Sequence, residues 1–160
     1  MVLWFAVLAP IIVAEVFRSP AVDYRLVLLG AVLPLVEVVT GQPVALHTLL
    51  APVLALAVVM AVTVRRRLLR RRLLGLPIGL FLHLVLDGTW TSSQLFWWPA
   101  FGWELDVGAA GEASVSIALR LVGDLVAAGL GVWAWRRYQI GVGDNRQRLL
   151  RSGHLARGVV

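Results

Sequence analysis

His83 and Asp87 lie four residues apart in the apolar segment GLFLHLVLDGTW. In a helix, side chains at this spacing share one face, so the imidazole and the carboxylate point the same way. Ionisable groups are costly in lipid, and each needs a polar partner, a metal ion or a role in chemistry. The pair therefore indicates either a functional site or a structural hydrogen bond, and both interpretations stay open at this point.

Two further residues of the same chemical types, Glu37 and His47, stand at the ends of neighbouring apolar segments. Carboxylate oxygen and imidazole nitrogen are ligands of zinc, manganese and iron, and an incomplete protein shell leaves a position for water or substrate. We therefore predict a divalent metal site formed by Glu37, His47, His83 and Asp87. Zinc is the first choice, with manganese and iron as alternatives.

Two carboxylates of this site, Glu37 and Asp87, are the candidate catalytic groups, with Glu37 as the general base. Each residue also has a structural interpretation. Glu37 is equally well explained as the solvated end of a segment, and His47 as the cap of the segment that follows it.

The composition indicates an integral membrane protein. Hydrophobic residues make up 59% of the 160-residue chain and charged residues 15%, and the mean hydropathy is +0.83. The absence of cysteine excludes disulfides, thiolate ligands and cysteine nucleophiles. A chain of this length supplies one compact unit, so we expect a transmembrane helical domain over residues 1–138 and a basic cytoplasmic tail over residues 139–160.

Five apolar segments predict an all-α, polytopic membrane helical bundle. They run over residues 1–17, 26–39, 43–64, 73–86 and 115–135. The second and fourth hold about 14 apolar residues, or ~21 Å of helix against a ~30 Å hydrocarbon core, so these two are short or re-entrant. A four-segment arrangement, in which residues 1–39 form a hairpin that does not cross fully, is the alternative.

Basic residues orient the segments. The stretch RRRLLRRR and the tail after Trp135 are both expected in the cytoplasm, which places the amino terminus outside a multi-pass inner-membrane protein. The arginines are interpreted as topology signals and contacts to anionic headgroups, so the expected partners are membrane lipids and not nucleic acid. This topology brings the four candidate ligands to the outer membrane face.

Three further residues are candidates for binding substrate. Arg120 and Asp124 repeat the four-residue spacing inside the fifth segment, where an intrahelical ion pair is the economical explanation. Alternatively, Arg120 binds a substrate phosphate and Asp124 orients it, because guanidinium matches phosphate oxygens in bidentate fashion. Trp90 belongs to a tryptophan-rich loop that predicts an interfacial belt, with a lid or a landing surface for acyl chains as the alternative.

Three stretches of the chain resemble the motif regions of a known family: GAVLPLVE, ALHTLL and GLFLHLVLDGTWTSSQLFWWP. The family is that of the inner-membrane-associated, metal-dependent hydrolases of the LexA-binding, YdjM-like type, and the resemblance covers roughly residues 28–100. Its motifs are Pro-Asp-x-Asp, Thr-His-Ser, and His-x-x-x-Asp before a loop ending in proline. The matching residues are Pro34, His47, His83, Asp87 and Pro99. The resemblance implies a metal-site scaffold and a hydrolytic reaction.

Other positions depart from the family pattern. Leu35 stands where the first motif aspartate is expected, and Glu37 replaces the second. Leu46 and Trp90 occupy the positions of two motif threonines. Two functions therefore follow from the sequence. One is a metal-dependent hydrolase acting on a lipid-derived substrate, such as a phosphoester, at the outer membrane face. The other is a non-catalytic subunit of a larger membrane complex or a homo-oligomer.

Overall fold

The computed structural model describes residues 1–19, 21–40, 45–100, 102–103 and 116–155. These residues form helices, and no strand occurs among them. The helices are α1 (Val2–Phe17), α2 (Tyr24–Val32), α3 (Leu35–Thr40), α4 (Leu50–Val62), α5 (Arg67–Leu73), α6 (Gly75–Asp87), α7 (Ser93–Phe96), α8 (Ile117–Arg137) and α9 (Gly143–Ser152). Two short 3-10 turns lie at Ala45–His47 and Thr89–Thr91. The predicted all-α fold is confirmed.

One helix of the described ranges, α8, is long and apolar enough to cross a membrane. Its 21 residues give about 30 Å of helix, the thickness of a hydrocarbon core. The apolar helices α1 and α4 are shorter, with 16 and 13 residues. The predicted starts of the third and fifth segments, at residues 43 and 115, lie outside the described residues.

The second predicted segment consists of two helices because Pro34 interrupts it. Proline has no backbone N–H and its ring disfavours a continuing helix, so α2 ends at Val32 and α3 begins at Leu35. The last carbonyl groups of α2 then lack the partners that a longer helix would supply. One of them, the carbonyl of Ala31, accepts a hydrogen bond from a side chain of α6.

The helices α2 and α6 lie side by side and run in the same direction. Gly75 packs against Asp23 and Val27, and Gly79 packs against Val27 and Ala31. A Cβ on Gly79 would overlap the carbonyl oxygen of Val27. The backbones touch at this point, and only a residue without a side chain allows that distance.

The remaining long helices surround this pair. α1 runs parallel to α8, since Trp4 contacts Gly123 and Val7 contacts Gly131. The Tyr138 hydroxyl donates to Glu15 Oε1 at 2.8 Å where both helices end. α4 runs opposite to α6 because its start lies beside the end of α6 and α5 links its end to the start of α6.

The apolar core lies between α1, α2 and α6. Its buried residues include Phe5, Ala9 and Val13 of α1 with Val27 and Ala31 of α2. The two ends of this helix bundle differ in chemistry. The histidine end carries Glu37, His47, His83 and Asp87, and the arginine end carries residues 65–72, 136–137 and α9.

Helix α9 is attached to the arginine end through Asp23 and Arg25. Burial disfavours the charge of Asp23, but the hydrogen bonds and positive charge of Arg25 outweigh it and hold the pKa of the carboxyl below its usual value. Arg25 also donates to the carbonyl oxygens of Leu150 and Arg151 at 3.0 and 3.3 Å, which satisfies the carboxyl end of α9. Leu155 is buried in the core. The stretch expected as a cytoplasmic tail therefore packs against the bundle over its described residues.

Replacing Gly79 with alanine should separate α2 from α6. The added methyl group has no space against the Val27 carbonyl, so we expect Gly79→Ala to lower the free energy of unfolding by about 2 kcal/mol. Gly129→Ala is the matched control, because a Cβ there meets no atom within 4 Å and alanine favours a helix. Thermal unfolding in detergent measures both. Equal melting temperatures for the two variants would contradict the close packing of these helices.

Candidate metal centre

The orientation of His83 is fixed by the backbone of the neighbouring helix. Its Nδ1 lies 2.6 Å from the carbonyl oxygen of Ala31. A carbonyl only accepts, so Nδ1 donates the hydrogen and the neutral ring keeps its free lone pair at Nε2. Phe5 stacks on the same ring with 4.1 Å between the ring centroids. Since His83 and Phe5 are fully buried, the imidazole is held on one edge and on one face.

His47 is oriented in the same way by a carboxylate. It ends the 3-10 turn Ala45–His47, and its Nδ1 lies 3.1 Å from Glu37 Oε2. Both Glu37 oxygens also lie 3.0 Å from the backbone nitrogen of Leu46, which donates to them. The carboxylate therefore accepts from His47 and from the turn that carries it. Nδ1 of this ring is again the donor, and Nε2 is left as the acceptor.

The two imidazoles meet at the histidine end. Their ring centroids are 5.2 Å apart in an edge-to-face arrangement. Both Nε2 atoms are buried, and neither has a hydrogen-bond partner among the described residues. Buried polar atoms without a partner are rare in folded proteins and call for an ion, a water or a functional explanation. Here two such atoms belong to neighbouring rings.

Asp87 completes the group. One ligand atom from each of His47, His83 and Asp87 lies within 4.8 Å of the other two. Ligands at 2.0–2.1 Å from a tetrahedral zinc ion are about 3.4 Å apart, so the widest gap must close by about 1.4 Å, or about 0.7 Å for each side chain. Small side-chain rotations supply that movement. Two imidazole nitrogens and one carboxylate form a ligand set that suits zinc, manganese or iron.

The position of Asp87 follows from the end of α6. Gly88 adopts a positive φ of 76° and ends the helix, a conformation that glycine favours. The chain then turns back, and the buried Thr89 donates from Oγ1 to Asp87 Oδ2 at 2.6 Å. Asp87 itself is only partly buried. The carboxylate therefore lies on the accessible side of the group, and the imidazoles lie on the closed side.

The structure gives Glu37 a different place from the one expected. It was predicted as a direct ligand and general base, but the group of ligand atoms found in the described chain contains His47, His83 and Asp87. Its carboxylate lies behind His47 and binds Nδ1 and the Leu46 N–H. Glu37 therefore has the position from which carboxylates commonly orient metal-binding histidines.

The candidate substrate residues lie outside this group. Asp124 accepts the backbone N–H of Trp4 at 3.2 Å and so caps the start of α1. Arg120 lies on the same helix, α8, which packs against α1. Trp90 is 59% exposed in the turn that follows Asp87, a position that suits an interfacial tryptophan and a landing surface equally. Substrate binding by these three residues stays a prediction.

Leu35 occupies the position where the resemblance expects a ligand. It is buried in the apolar core together with Phe5 and Ala31. A residue of that core cannot supply an oxygen or nitrogen atom to an ion. The ligand group of this chain is therefore formed without the first motif position. Of the four ligands predicted from the sequence, it contains three, His47, His83 and Asp87.

Sequence reasoning did not identify three of the residues that position the site. Phe5 lies in an apolar run, and nothing in the sequence distinguishes it from the other apolar residues. Its contact with His83 is known only from the packing of α1 on α6. Thr89 follows Asp87 by two residues and could have been proposed as its partner. The free carbonyl of Ala31 could have been inferred from Pro34, three residues later.

Comparisons of the chain with protein-family models, with characterised proteins and with solved structures found no match. The resemblance to the YdjM-like hydrolases therefore stays an expectation based on the motif residues. The candidate metal centre rests on its own geometry.

Removing the charge of Glu37 should weaken the metal site without removing a ligand. In Glu37→Gln, the amide is a poorer acceptor and no longer holds the Nδ1–H form of His47, so we expect the affinity for zinc to fall about 10-fold to 100-fold. A competition titration against a chromophoric chelator measures this change. Glu15→Gln, at the arginine end, is the matched control and should bind zinc as the wild type does. An unchanged affinity in Glu37→Gln would argue against the orienting role.

Proposed function

We propose that the protein is a membrane-embedded, metal-dependent hydrolase in which His47, His83 and Asp87 bind one divalent ion. Its substrate is a lipid-derived molecule, such as a phosphoester, at the outer membrane face. Two observations carry the proposal together: one ligand atom from each of His47, His83 and Asp87 lies within 4.8 Å of the other two, and both buried Nε2 atoms lack a partner among the described residues. Zinc fits this ligand set best, and manganese or iron is the alternative.

The energetics of burial favour an ion or another bound species over an empty arrangement. An unsatisfied buried acceptor costs about 1–3 kcal/mol, and two lie side by side here. The other nitrogen of each ring is satisfied: Nδ1 of His83 donates to the Ala31 carbonyl oxygen, and Nδ1 of His47 donates to the Glu37 carboxylate. A structural pair of histidines would be satisfied by bonding to each other or to the backbone. Here each Nδ1 is hydrogen-bonded and each Nε2 lacks a partner among the described residues, which is the arrangement of metal-binding histidines.

Three protein ligands leave a coordination position for water or substrate, as catalytic zinc sites do. An ion bound there would supply Lewis acidity and a water molecule of lowered pKa. The residues of the chain supply orientation and exclusion of solvent. Ala31 and Glu37 fix the two rings, and Phe5 covers His83. The partly buried Asp87 marks the side from which substrate approaches.

Hydrolysis of a phosphoester at this position consumes one water molecule. The water oxygen forms a bond to phosphorus while the bond to the leaving oxygen breaks, and the leaving oxygen takes up a proton. Glu37 does not abstract a proton in this proposal, because its oxygens are bound to His47 and Leu46. Its contribution passes through the orientation of His47.

The membrane setting is supported by the direction of the helices. α2 and α6 run toward the histidine end, and α4 and α8 run toward the arginine end. If α1, α2, α4, α6 and α8 all lie in the bilayer, the arginine end is cytoplasmic by the positive-inside rule and the amino terminus is outside. The candidate metal centre then lies at the outer face of the inner membrane.

A second function, that of a subunit in a larger membrane complex or a homo-oligomer, is favoured by α8. Only 17% of its apolar window is buried. Its exposed side chains form an apolar surface of Leu119, Leu121, Val122, Leu125, Val126 and Val132. Lipid covers such a surface as well as a protein does, so the metal content of the purified chain decides between the two functions.

The wild type purified in detergent should carry about one divalent ion per chain. We expect mass spectrometry of the metals to show that His83→Ala and Asp87→Ala lose it, because two ligands hold an ion far more weakly than three. His154→Ala changes the remaining histidine, at the arginine end, and is the matched control. A wild type without metal, migrating with a much larger mass than one chain in its micelle, would reject the hydrolase and favour the subunit.

A further inference from the structure

An apolar groove lies between α1, α4 and α6. It has a volume of about 430 Å³, within the range of small-molecule sites. Every residue that lines it has an apolar side chain, including two prolines, and none is charged. Ile12, Leu49, Leu56, Pro77 and Phe81 mark its extent. The groove therefore suits a hydrocarbon ligand and offers no partner for a polar one.

The groove begins beside the candidate metal centre. At one end it is lined by Leu49, two residues after His47, and by Leu82, which directly precedes His83. At the other end it reaches Phe17 at the end of α1, in the direction of the arginine end. A molecule that fills the groove therefore has one end near the metal ligands and extends away from them, along the direction of a lipid chain in the membrane.

The groove is long and apolar enough for a segment of a hydrocarbon chain. Leu49 and Leu56 line it seven residues apart, which corresponds to about 10 Å along α4. A hydrocarbon chain is thin enough to fit.

The groove is open along its side. Phe17, Val53 and Phe81 line it and are exposed, so in a bilayer the groove faces the lipid directly. A chain can enter sideways without leaving the hydrocarbon core. Since lipid tails and the groove are equally apolar, this transfer gains little hydrophobic free energy. The groove therefore acts by positioning the chain, and the headgroup must provide the binding energy at the cluster.

We propose that this groove positions one acyl chain of a membrane lipid. The phosphoester linkage of the lipid headgroup then lies at His47, His83 and Asp87. The inference rests on the proposed hydrolase function and narrows its substrate class to acyl lipids of the surrounding bilayer. The groove holds the chain, and the metal centre acts on the headgroup side of the same molecule. The substrate thus reaches the site from within the membrane.

Position-resolved photo-crosslinking of the full chain in nanodiscs tests this inference. The nanodiscs contain phosphatidylglycerol and a small fraction of the same lipid with a diazirine on its acyl chain. The diazirine lies either near the ester that joins the chain to glycerol or near the methyl end of the chain. We expect the first probe to label residues around Leu49 and Leu82, and the second to label residues around Phe17 and Pro77. Labelling of the groove should exceed labelling of the exposed face of α8 by about fivefold, because a positioned chain stays longer than a passing one.

A groove-filling variant provides the control. In Leu56→Trp the indole occupies the space of the chain, so labelling of the groove should fall about fivefold. Val122→Trp on the exposed face of α8 should leave it unchanged. The inference would be overturned if α8 and the groove were labelled equally, or if the two probes did not label different ends of the groove. The metal content of the same samples tests the proposed function separately. If the chain carries one ion but the labels are spread evenly over its surface, only the acyl-chain groove is rejected.

Discussion

The candidate site depends on one hydrogen bond, from His83 Nδ1 to the carbonyl oxygen of Ala31 across the α2–α6 contact. Two features of the sequence make it possible. Pro34 ends α2 early and leaves a carbonyl to be satisfied, and Gly79 allows the two backbones to touch. Together they set which nitrogen of His83 carries the hydrogen. The free Nε2 of His83 follows from that choice.

The site has a closed side and an open side, and the chemistry follows from the difference. Phe5 and the core of α1 cover the imidazoles, while Asp87 remains partly accessible at the end of α6. In the proposed hydrolase, substrate would approach past the carboxylate. The apolar groove begins at the residues that neighbour both histidines in the chain, so a lipid can reach this side without crossing water. This arrangement connects the proposed reaction with a bilayer substrate.

The sequence predicted the parts of this structure that depend on local pattern. The all-α class and the separation of Glu37, His47, His83 and Asp87 from the arginines of residues 65–72 follow from apolar runs and charge. His47, His83 and Asp87 were found by residue type and spacing. The role of Glu37 was not, because only the fold shows that its carboxylate lies behind His47. The packing of α9 through Asp23 and Arg25 also depends on residues more than a hundred positions apart, which no local pattern reveals.

The central claim is that two imidazoles and one carboxylate bind a single ion through Nε2 and carboxylate oxygen. X-ray absorption spectroscopy of the zinc-loaded protein measures that shell directly. The account predicts two imidazole nitrogens with one or two oxygens at about 2.0–2.2 Å from the metal. A shell of oxygen atoms without the scattering signature of imidazole would contradict it, because the histidines would then have another purpose.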